Sequence, residues 1–174
     1  MKRYALNKTK YLLEPESESL ESLLKRQSSQ DVRNVLLLEL ALRTGARAQE
    51  ILNLCRQDLN AFDETILIRG IKGSSDREIP LPRELFERVM KYASSLESEK
   101  LFSISYNRFR DIWAEYRPVP KKLHALRHTF AIRLFKKTKD LRLVQLALGH
   151  RNITNTMIYA DYVYSQSELR KLIL

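Results

Sequence analysis

The sequence predicts a mainly α-helical domain with one small antiparallel β-hairpin or three-stranded sheet. Apolar residues recur at helical spacing over most of the 174 residues. Only the stretch 65–79 changes period, with short β-rich runs on either side of a loop rich in glycine and serine. A chain of this length fits one compact domain, and its single cysteine rules out an internal disulfide.

The first half of the chain predicts three helices. Residues 1–14 are expected to be a flexible lead-in or linker remnant. Pro15, followed by acidic residues, begins the first helix, because proline suits the first helical position and acids favour the positive helix end. The apolar run over 35–42 is too continuous for a surface helix and predicts a buried one, which Gly45 ends. A third helix is predicted from Ala46 to about Arg56.

The second half predicts strands, then helices. Thr65–Arg69 and Arg77–Ile79 are expected to form the hairpin, and Pro82 begins the helix that follows it. The later helices are expected at 105–116, 124–137, 141–148, 154–162 and 166–172.

Positive charge is concentrated in one window. From Lys121 to Arg151 there are nine lysines and arginines against one acid, Asp140, although the whole chain carries only +10. Such a block predicts a polyanionic partner, nucleic acid before any membrane surface. No apolar run approaches the length of a membrane span, and no secretory signal opens the chain. A cytoplasmic protein associated with the nucleoid or viral DNA is therefore expected.

Candidate catalytic residues lie in and before the same window. His124 and Arg127 are three residues apart, so in a helix they project side by side. Tyr159 follows His150 by nine residues, and Arg47 stands just after Gly45 at a predicted helix start. Attack on a phosphodiester needs an activated oxygen, positive charge over the phosphate and a proton for the leaving alcohol. Arginine suits the second task because its planar fork donates two parallel hydrogen bonds and keeps its charge.

These residues carry a resemblance to a known family. The segments TGARAQEILNL (44–54), HALRHTFA (124–131), LGH (148–150) and TMIY (156–159) resemble the catalytic motifs of the tyrosine recombinase (phage integrase) family, in the family's order. The similarity covers about 17–172. It implies the catalytic-domain fold of that family and a DNA strand transferase that needs neither metal nor cofactor.

The resemblance also implies roles for individual residues. Tyr159 would attack the scissile phosphate, form a 3′-phosphotyrosyl link and release a 5′-hydroxyl, while Arg47 and Arg127 would clamp the non-bridging oxygens. The other implied roles are as follows: Lys72 protonates the leaving 5′-oxygen, His124 is the acid/base partner of the tyrosine, His150 hydrogen-bonds the phosphate, and Glu50 supports the catalytic groups. His124 and His128 also stand at a spacing that could bind zinc, but no third ligand is close in sequence. We therefore expect His128 to be packed or hydrogen-bonded inside the helix bundle.

The resulting hypothesis is a site-specific DNA recombinase of the integrase, excisionase or invertase type. Two alternatives stay open: a relaxing enzyme like type IB topoisomerases, and a non-catalytic DNA-binding module that keeps the fold. Residues 15–174 are expected to form the single catalytic domain, without the N-terminal core-binding domain of most family members. Double-stranded DNA is the expected partner. The protein is expected to be a monomer when free and a dimer or tetramer on DNA. The tail 165–174 is expected to dock either on a neighbouring protomer, in an exchange between copies, or back on its own domain.

Overall fold

The computed structural model describes residues 6–71, 73–160, 170 and 173–174. Within these residues there are eight α-helices, one short 3-10 helix and three β-strands. The helices are α1 (Glu14–Gln27), α2 (Val32–Thr44), α3 (Ala48–Leu52), α4 (Arg83–Ser94), α5 (Tyr106–Tyr116), α6 (Ala125–Thr138), α7 (Leu141–Leu148) and α8 (Thr154–Ala160), and the 3-10 helix is Arg56–Asp58. The strands are β1 (Leu59–Asn60), β2 (Thr65–Ile68) and β3 (Arg77–Pro80).

Helix α2 lies at the centre of the domain. Leu36, Leu37 and Leu38 are all fully buried, which confirms the prediction from its continuous apolar run; only residues near the helix ends, Val32 and Arg43, are exposed. It ends at Gly45, whose backbone adopts the left-handed conformation at φ +61° and whose N–H donates to the Ala41 carbonyl at 3.2 Å. The chain therefore turns sharply after α2, and this turn places Arg47 at the surface of the core.

The three strands form one antiparallel sheet in the order β1-β2-β3, which confirms the predicted small sheet. Ile66 lies opposite Ile79 in the register of β2 and β3, and both are buried on the face that packs on the helices. The loop between β2 and β3 reaches across to the turn after α7, where the Ser75 N–H donates to the Gly149 carbonyl at 3.0 Å. The sheet thus connects two regions that are far apart in sequence.

The third helix is shorter than the sequence predicted. It was expected to run from Ala46 to about Arg56, but α3 ends at Leu52. The buried carboxylate of Asp58 accepts the Cys55 N–H at 2.9 Å and binds Arg69 at 2.7 Å. These side-chain bonds hold the chain in a 3-10 turn, because a carboxylate that accepts backbone N–H groups competes with helical hydrogen bonds.

Residues 6–13 differ from the flexible lead-in expected of 1–14. Leu6, Tyr11 and Leu12 are buried, and the Leu12 N–H donates to the Thr129 hydroxyl on α6 at 2.8 Å. The ammonium of Lys121 donates to the Tyr11 carbonyl at 2.7 Å. This segment covers apolar side chains of α6 and α8 that would otherwise face solvent, and burying them stabilises it in place.

Helix α6 joins the two parts of the hydrophobic core. It packs against α2 on one side and against α7 and α8 on the other. The larger core cluster contains α2, and the smaller one contains Ile132, Val144 and Tyr159. Residues from both halves of the chain therefore meet along α6. None of the helices in the described ranges is long and apolar enough to span a membrane.

Candidate active site

Arg47 is presented at the first turn of α3. Its backbone N–H donates to Oε2 of Glu50 at 2.8 Å, an N-terminal cap that fixes the start of the helix. Its guanidinium donates to Oε1 of Glu50 at 3.3 Å and to the hydroxyl of Ser74 in the β2–β3 loop. The side chain is 32% exposed, so the guanidinium is bonded to the protein on one side and open to solvent on the other.

Glu50 is a buried carboxylate surrounded by guanidinium groups. Arg77 on β3 donates to it twice, at 2.7 Å to Oε2 and at 3.3 Å to Oε1. Arg127 lies 4.0 Å from Oε2. Burial raises the pKa of Glu50, but hydrogen bonding and charge attraction from Arg77, together with Arg47 and Arg127, outweigh it and lower the pKa overall. Glu50 is therefore ionised at neutral pH although almost no part of it touches solvent.

Arg127 projects from α6 and is 2% exposed. Its NH1 donates to the Gly45 carbonyl at 2.6 Å, and its NH2 donates to the Leu148 carbonyl at 2.9 Å. Both acceptors are carbonyls at helix C-termini, which carry partial negative charge and attract a cation. Burial, followed by the charge of Arg47, lowers the pKa of Arg127 to about 9, so it is charged at neutral pH. Arg127 thus ties the end of α2 to the end of α7.

His150 follows directly after α7, where Gly149 ends the helix in the left-handed conformation. Its Nε2 lies 2.9 Å from NH2 of Arg127 and its Nδ1 lies 2.9 Å from the hydroxyl of Thr156. A guanidinium can only donate, so Nε2 accepts and the proton resides on Nδ1. Burial and the charges of Arg127 and Arg47 lower the pKa of His150 to about 3, which makes it a neutral imidazole at physiological pH.

His124 lies just before α6, exposed on one side and packed edge-on against His128 on the other, with ring centroids 4.7 Å apart. Desolvation of its ring and the charges of Arg127 and Arg47 lower the pKa of His124 to about 4. Arg47, His124 and Arg127 line one cavity of about 230 Å³. Two cationic groups and a neutral imidazole around a shared cavity can hold a tetrahedral oxyanion.

Tyr159 lies on α8 and is 1% exposed. Its hydroxyl is 2.9 Å from Nδ1 of His128, and the two rings pack at a centroid distance of 5.8 Å. Burial and the charge of His124 lower the pKa of His128 to about 3. The phenol thus contacts His128, whereas the resemblance pairs it with His124. His128 itself is buried and hydrogen-bonded, as the sequence predicted.

Hydrogen bonds and ion pairs bring together four of the expected residues, Arg47, Glu50, Arg127 and His150. His124 lines the cavity that Arg47 and Arg127 also line. Lys72 lies outside the described residues, so its role stays a prediction. No three His, Cys, Asp or Glu side chains in the described ranges lie close enough to share a metal ion.

Sequence reasoning missed Arg77 and Ser74, which contact Glu50 and Arg47. Arg77 did carry a signal. It stands two residues before Ile79 in a strand and therefore on the same, core-facing side, where an arginine needs a buried partner.

Comparisons with known proteins place this arrangement in a family. The sequence profile described as "Phage integrase family" matches residues 10–166. The tyrosine recombinase XerA of Thermococcus kodakarensis is 30% identical over 81% of this chain and 56% of its own length. The tyrosine recombinase XerC of Staphylococcus aureus is 30% identical over 96% of this chain and 62% of its own. The chain thus spans little more than half of these relatives.

Two solved structures match nearly the whole chain. The XerH site-specific recombinase, in a post-cleavage complex with palindromic difH substrate, matches with a TM-score of 0.76 and 27% identity, over 96% of this chain and 54% of that one. The catalytic domain of bacteriophage HP1 integrase matches with a TM-score of 0.67 and 26% identity, over 95% of both chains. The fold is that of tyrosine recombinase catalytic domains. The chain belongs to the phage integrase family of tyrosine recombinases.

Proposed function

We propose that this domain cleaves and rejoins DNA strands as the catalytic part of a site-specific recombinase. The observation that carries the proposal is the convergence of Arg47, His124 and Arg127 on one cavity. The XerH relative is bound to its DNA substrate after cleavage, which supports DNA as the substrate here. None of the relatives named above favours a topoisomerase or a binding module without activity. An enzyme acting on chromosomal or viral DNA would work in the cytoplasm.

In the proposed reaction the arginines bind the scissile phosphate first. Arg47 and Arg127 donate to its non-bridging oxygens, where charge builds up in the transition state. A phosphate oxygen entering the cavity competes with the Ser74 hydroxyl for an N–H of Arg47. Since Arg127 already bonds two carbonyls and His150, its guanidinium is oriented before DNA arrives, which lowers the cost of reorganisation.

Tyr159 then supplies the nucleophile. The phenol gives its proton to His124, the acid/base partner that the resemblance implies, while its oxygen bonds to phosphorus and the bond to the 5′-oxygen breaks. The leaving oxygen takes a proton, a role that the resemblance gives to Lys72. A 5′-hydroxyl of another strand reverses these steps and releases Tyr159. Because Tyr159 is 1% exposed and its hydroxyl lies against His128, attack requires the phenol to leave this contact and reach the phosphate.

A covalent trap tests this function. A library of nicked duplexes with a randomised core lets the short strand diffuse away after cleavage, so that any adduct cannot be resealed. We expect a protein–DNA adduct that survives denaturant and is absent in Tyr159→Phe. Tyr92→Phe is the matched control and should keep the adduct, because it removes a phenol hydroxyl of α4 that bonds the Leu101 carbonyl and lies outside the cavity. Wild-type protein that selects DNA from the library but never forms an adduct would contradict the proposal.

We further propose that copies assemble on DNA as a dimer or tetramer through exchange of the tail 165–174, most of which lies outside the described residues. An apolar groove of about 500 Å³ between β3, α6 and α7 could receive it. Leu143 and Leu146 on its rim are 40% and 57% exposed. Deleting residues 166–174 should reduce assembly on DNA, measured by analytical ultracentrifugation of the complex. Unchanged assembly and cleavage would refute the exchange.

A further inference from the structure

Arg77 is the guanidinium of this site that does not face the cavity. Its side chain is 5% exposed and lies between α3 and α7. NH1 and NH2 donate to the Glu50 carboxylate, and Nε donates to the Ala147 carbonyl near the end of α7 at 2.9 Å. All of these acceptors belong to the protein. The side chain is therefore committed to internal contacts and is not available to a ligand in the cavity.

The charges around Glu50 indicate the role of Arg77. Three guanidiniums, those of Arg47, Arg77 and Arg127, lie within 4.0 Å of one carboxylate. With Arg77 present, the carboxylate is matched by its own bidentate partner, and the charges of the other two arginines are left for an anion. Without Arg77, the same carboxylate would be shared by Arg47 and Arg127, which would cancel one of the two charges that face the cavity.

We propose that Arg77 is a positioning residue that neutralises and orients Glu50, so that Arg47 and Arg127 keep their charge and donors for the bound anion. Its bond to Ala147 also fixes the turn on which His150 stands. The inference depends on the proposed function only in taking that anion to be a DNA phosphate.

The groups that face Glu50 determine how the charge of the site changes with pH. Arg47, Arg77 and Arg127 contact the carboxylate, and His150 lies near enough for its pKa to respond to it. Burial and neighbouring guanidiniums hold the pKa of His150 at about 3, and burial lowers that of Arg127 only to about 9. His124, which lines the cavity, also has a pKa between these limits, at about 4, but wild type and all the variants share it. A difference in pH dependence between Arg77→Met and wild type therefore arises from Glu50.

Sulfate is a suitable probe, because its charge is constant between about pH 5 and pH 8 while ordinary carboxyl groups titrate at or below this range. Its affinity would be measured by calorimetry and NMR on wild type, Arg77→Met, Arg77→Lys and the double variant Arg77→Met/Glu50→Gln. The matched control is Arg69→Met, which also removes an arginine paired with a buried carboxylate, that of Asp58, but outside the cavity. Circular dichroism confirms that each variant is folded.

We expect Arg77→Met to bind sulfate about tenfold more weakly at pH 8, and to regain affinity as the pH falls and Glu50 takes up a proton. The double variant should bind within about threefold of wild type at every pH, since a neutral glutamine restores the net charge. Arg77→Lys should recover most of the affinity at pH 8. Arg69→Met should behave like wild type.

Opposite results would overturn the inference. A loss in Arg77→Met that is uniform with pH and persists in the double variant would make Arg77 a merely structural residue. Should Arg77→Met not fold, a folded double variant that binds no sulfate would lead to the same conclusion. These experiments contain no DNA. A wild-type protein that binds sulfate as expected but forms no DNA adduct would therefore refute the proposed function and leave the assignment of Arg77 standing.

Discussion

Replacing Gly149 by alanine tests how tightly the sheet loop is packed against the turn that carries His150. Gly149 has φ +67°, a conformation that side chains rarely adopt. A Cβ built there would lie 2.6 Å from the Ser75 carbonyl oxygen and 3.0 Å from NH1 of Arg77. The first of these atoms is backbone, so it cannot move without shifting the β2–β3 loop.

Two costs add up in this variant. The left-handed conformation costs alanine about 1–2 kcal/mol. Forcing a methyl group into a close-packed contact costs about 1–3 kcal/mol more. Gly73 provides a matched control, because it has φ +81° but no atom within 4 Å of its added Cβ. Gly73→Ala should therefore show only the first cost, and the difference between the two variants isolates the packing against Ser75 and Arg77.

Urea unfolding, followed by circular dichroism, measures both free energies of unfolding. We expect Gly149→Ala to be less stable than Gly73→Ala by about 1–3 kcal/mol, which corresponds to about 2–4 °C in melting temperature for each kcal/mol. Sulfate affinity should fall in Gly149→Ala as well, since His150 and Arg127 are bonded across this turn. Equal stabilities of the two alanine variants would show that loop and turn are not in contact.

Three further outcomes follow from the site. Burial and nearby charge lower the pKa of the 4% exposed His128 to about 3, so its contribution to stability is complete above the ordinary pKa of about 6.5 and is lost as the pH falls. The free energy of unfolding in urea should therefore be about 2 kcal/mol lower at pH 5 than at pH 7 because of this group. The same dependence of this free energy on pH in His128→Leu would refute the assignment. Arg127→Met should cost about 1–3 kcal/mol of stability for each of the two buried carbonyls, those of Gly45 and Leu148, that lose their donor, whereas the part-exposed Arg47→Met should cost under about 1 kcal/mol. Both variants should lose sulfate binding, and equal melting temperatures would contradict the difference. DNA affinity should fall steeply with salt, with a log–log slope of about −0.9 per phosphate contact, and a flat salt dependence in a filter-binding assay would exclude the basic window as the DNA surface.

Much of the architecture was predictable, because local patterns determine it. The buried run of α2, its stop at Gly45 and the hairpin over 65–80 follow from apolar periodicity and from glycine at turns. The short α3 was not predictable in the same way. Its end depends on Asp58 meeting Cys55 and Arg69, and a side-chain cap of this kind is decided by tertiary contacts.

The sequence identified several residues of the candidate site but not the contacts among them. Motif order identified Arg47, Arg127 and His150, and the structure places them in one network. The pairing of Tyr159 with His128 depends on the packing of α8 on α6, which no spacing in the sequence specifies. Arg77 was missed because a charged residue in a short strand is usually taken as solvent-facing, and only a buried partner such as Glu50 justifies the inward position.

The two cavity arginines also set the protonation of His124. Their charges, added to desolvation, lower the pKa of this ring to about 4, so in the free protein it is neutral and cannot donate a second proton. A bound dianion would offset those charges and raise the pKa of His124 toward its ordinary range. We therefore expect an NMR titration with saturating sulfate to move this pKa upward by about one unit or more, with no such shift in Arg47→Met. If sulfate binds and the titration of His124 does not move, the anion lies too far from the ring for binding and proton transfer to be coupled through it.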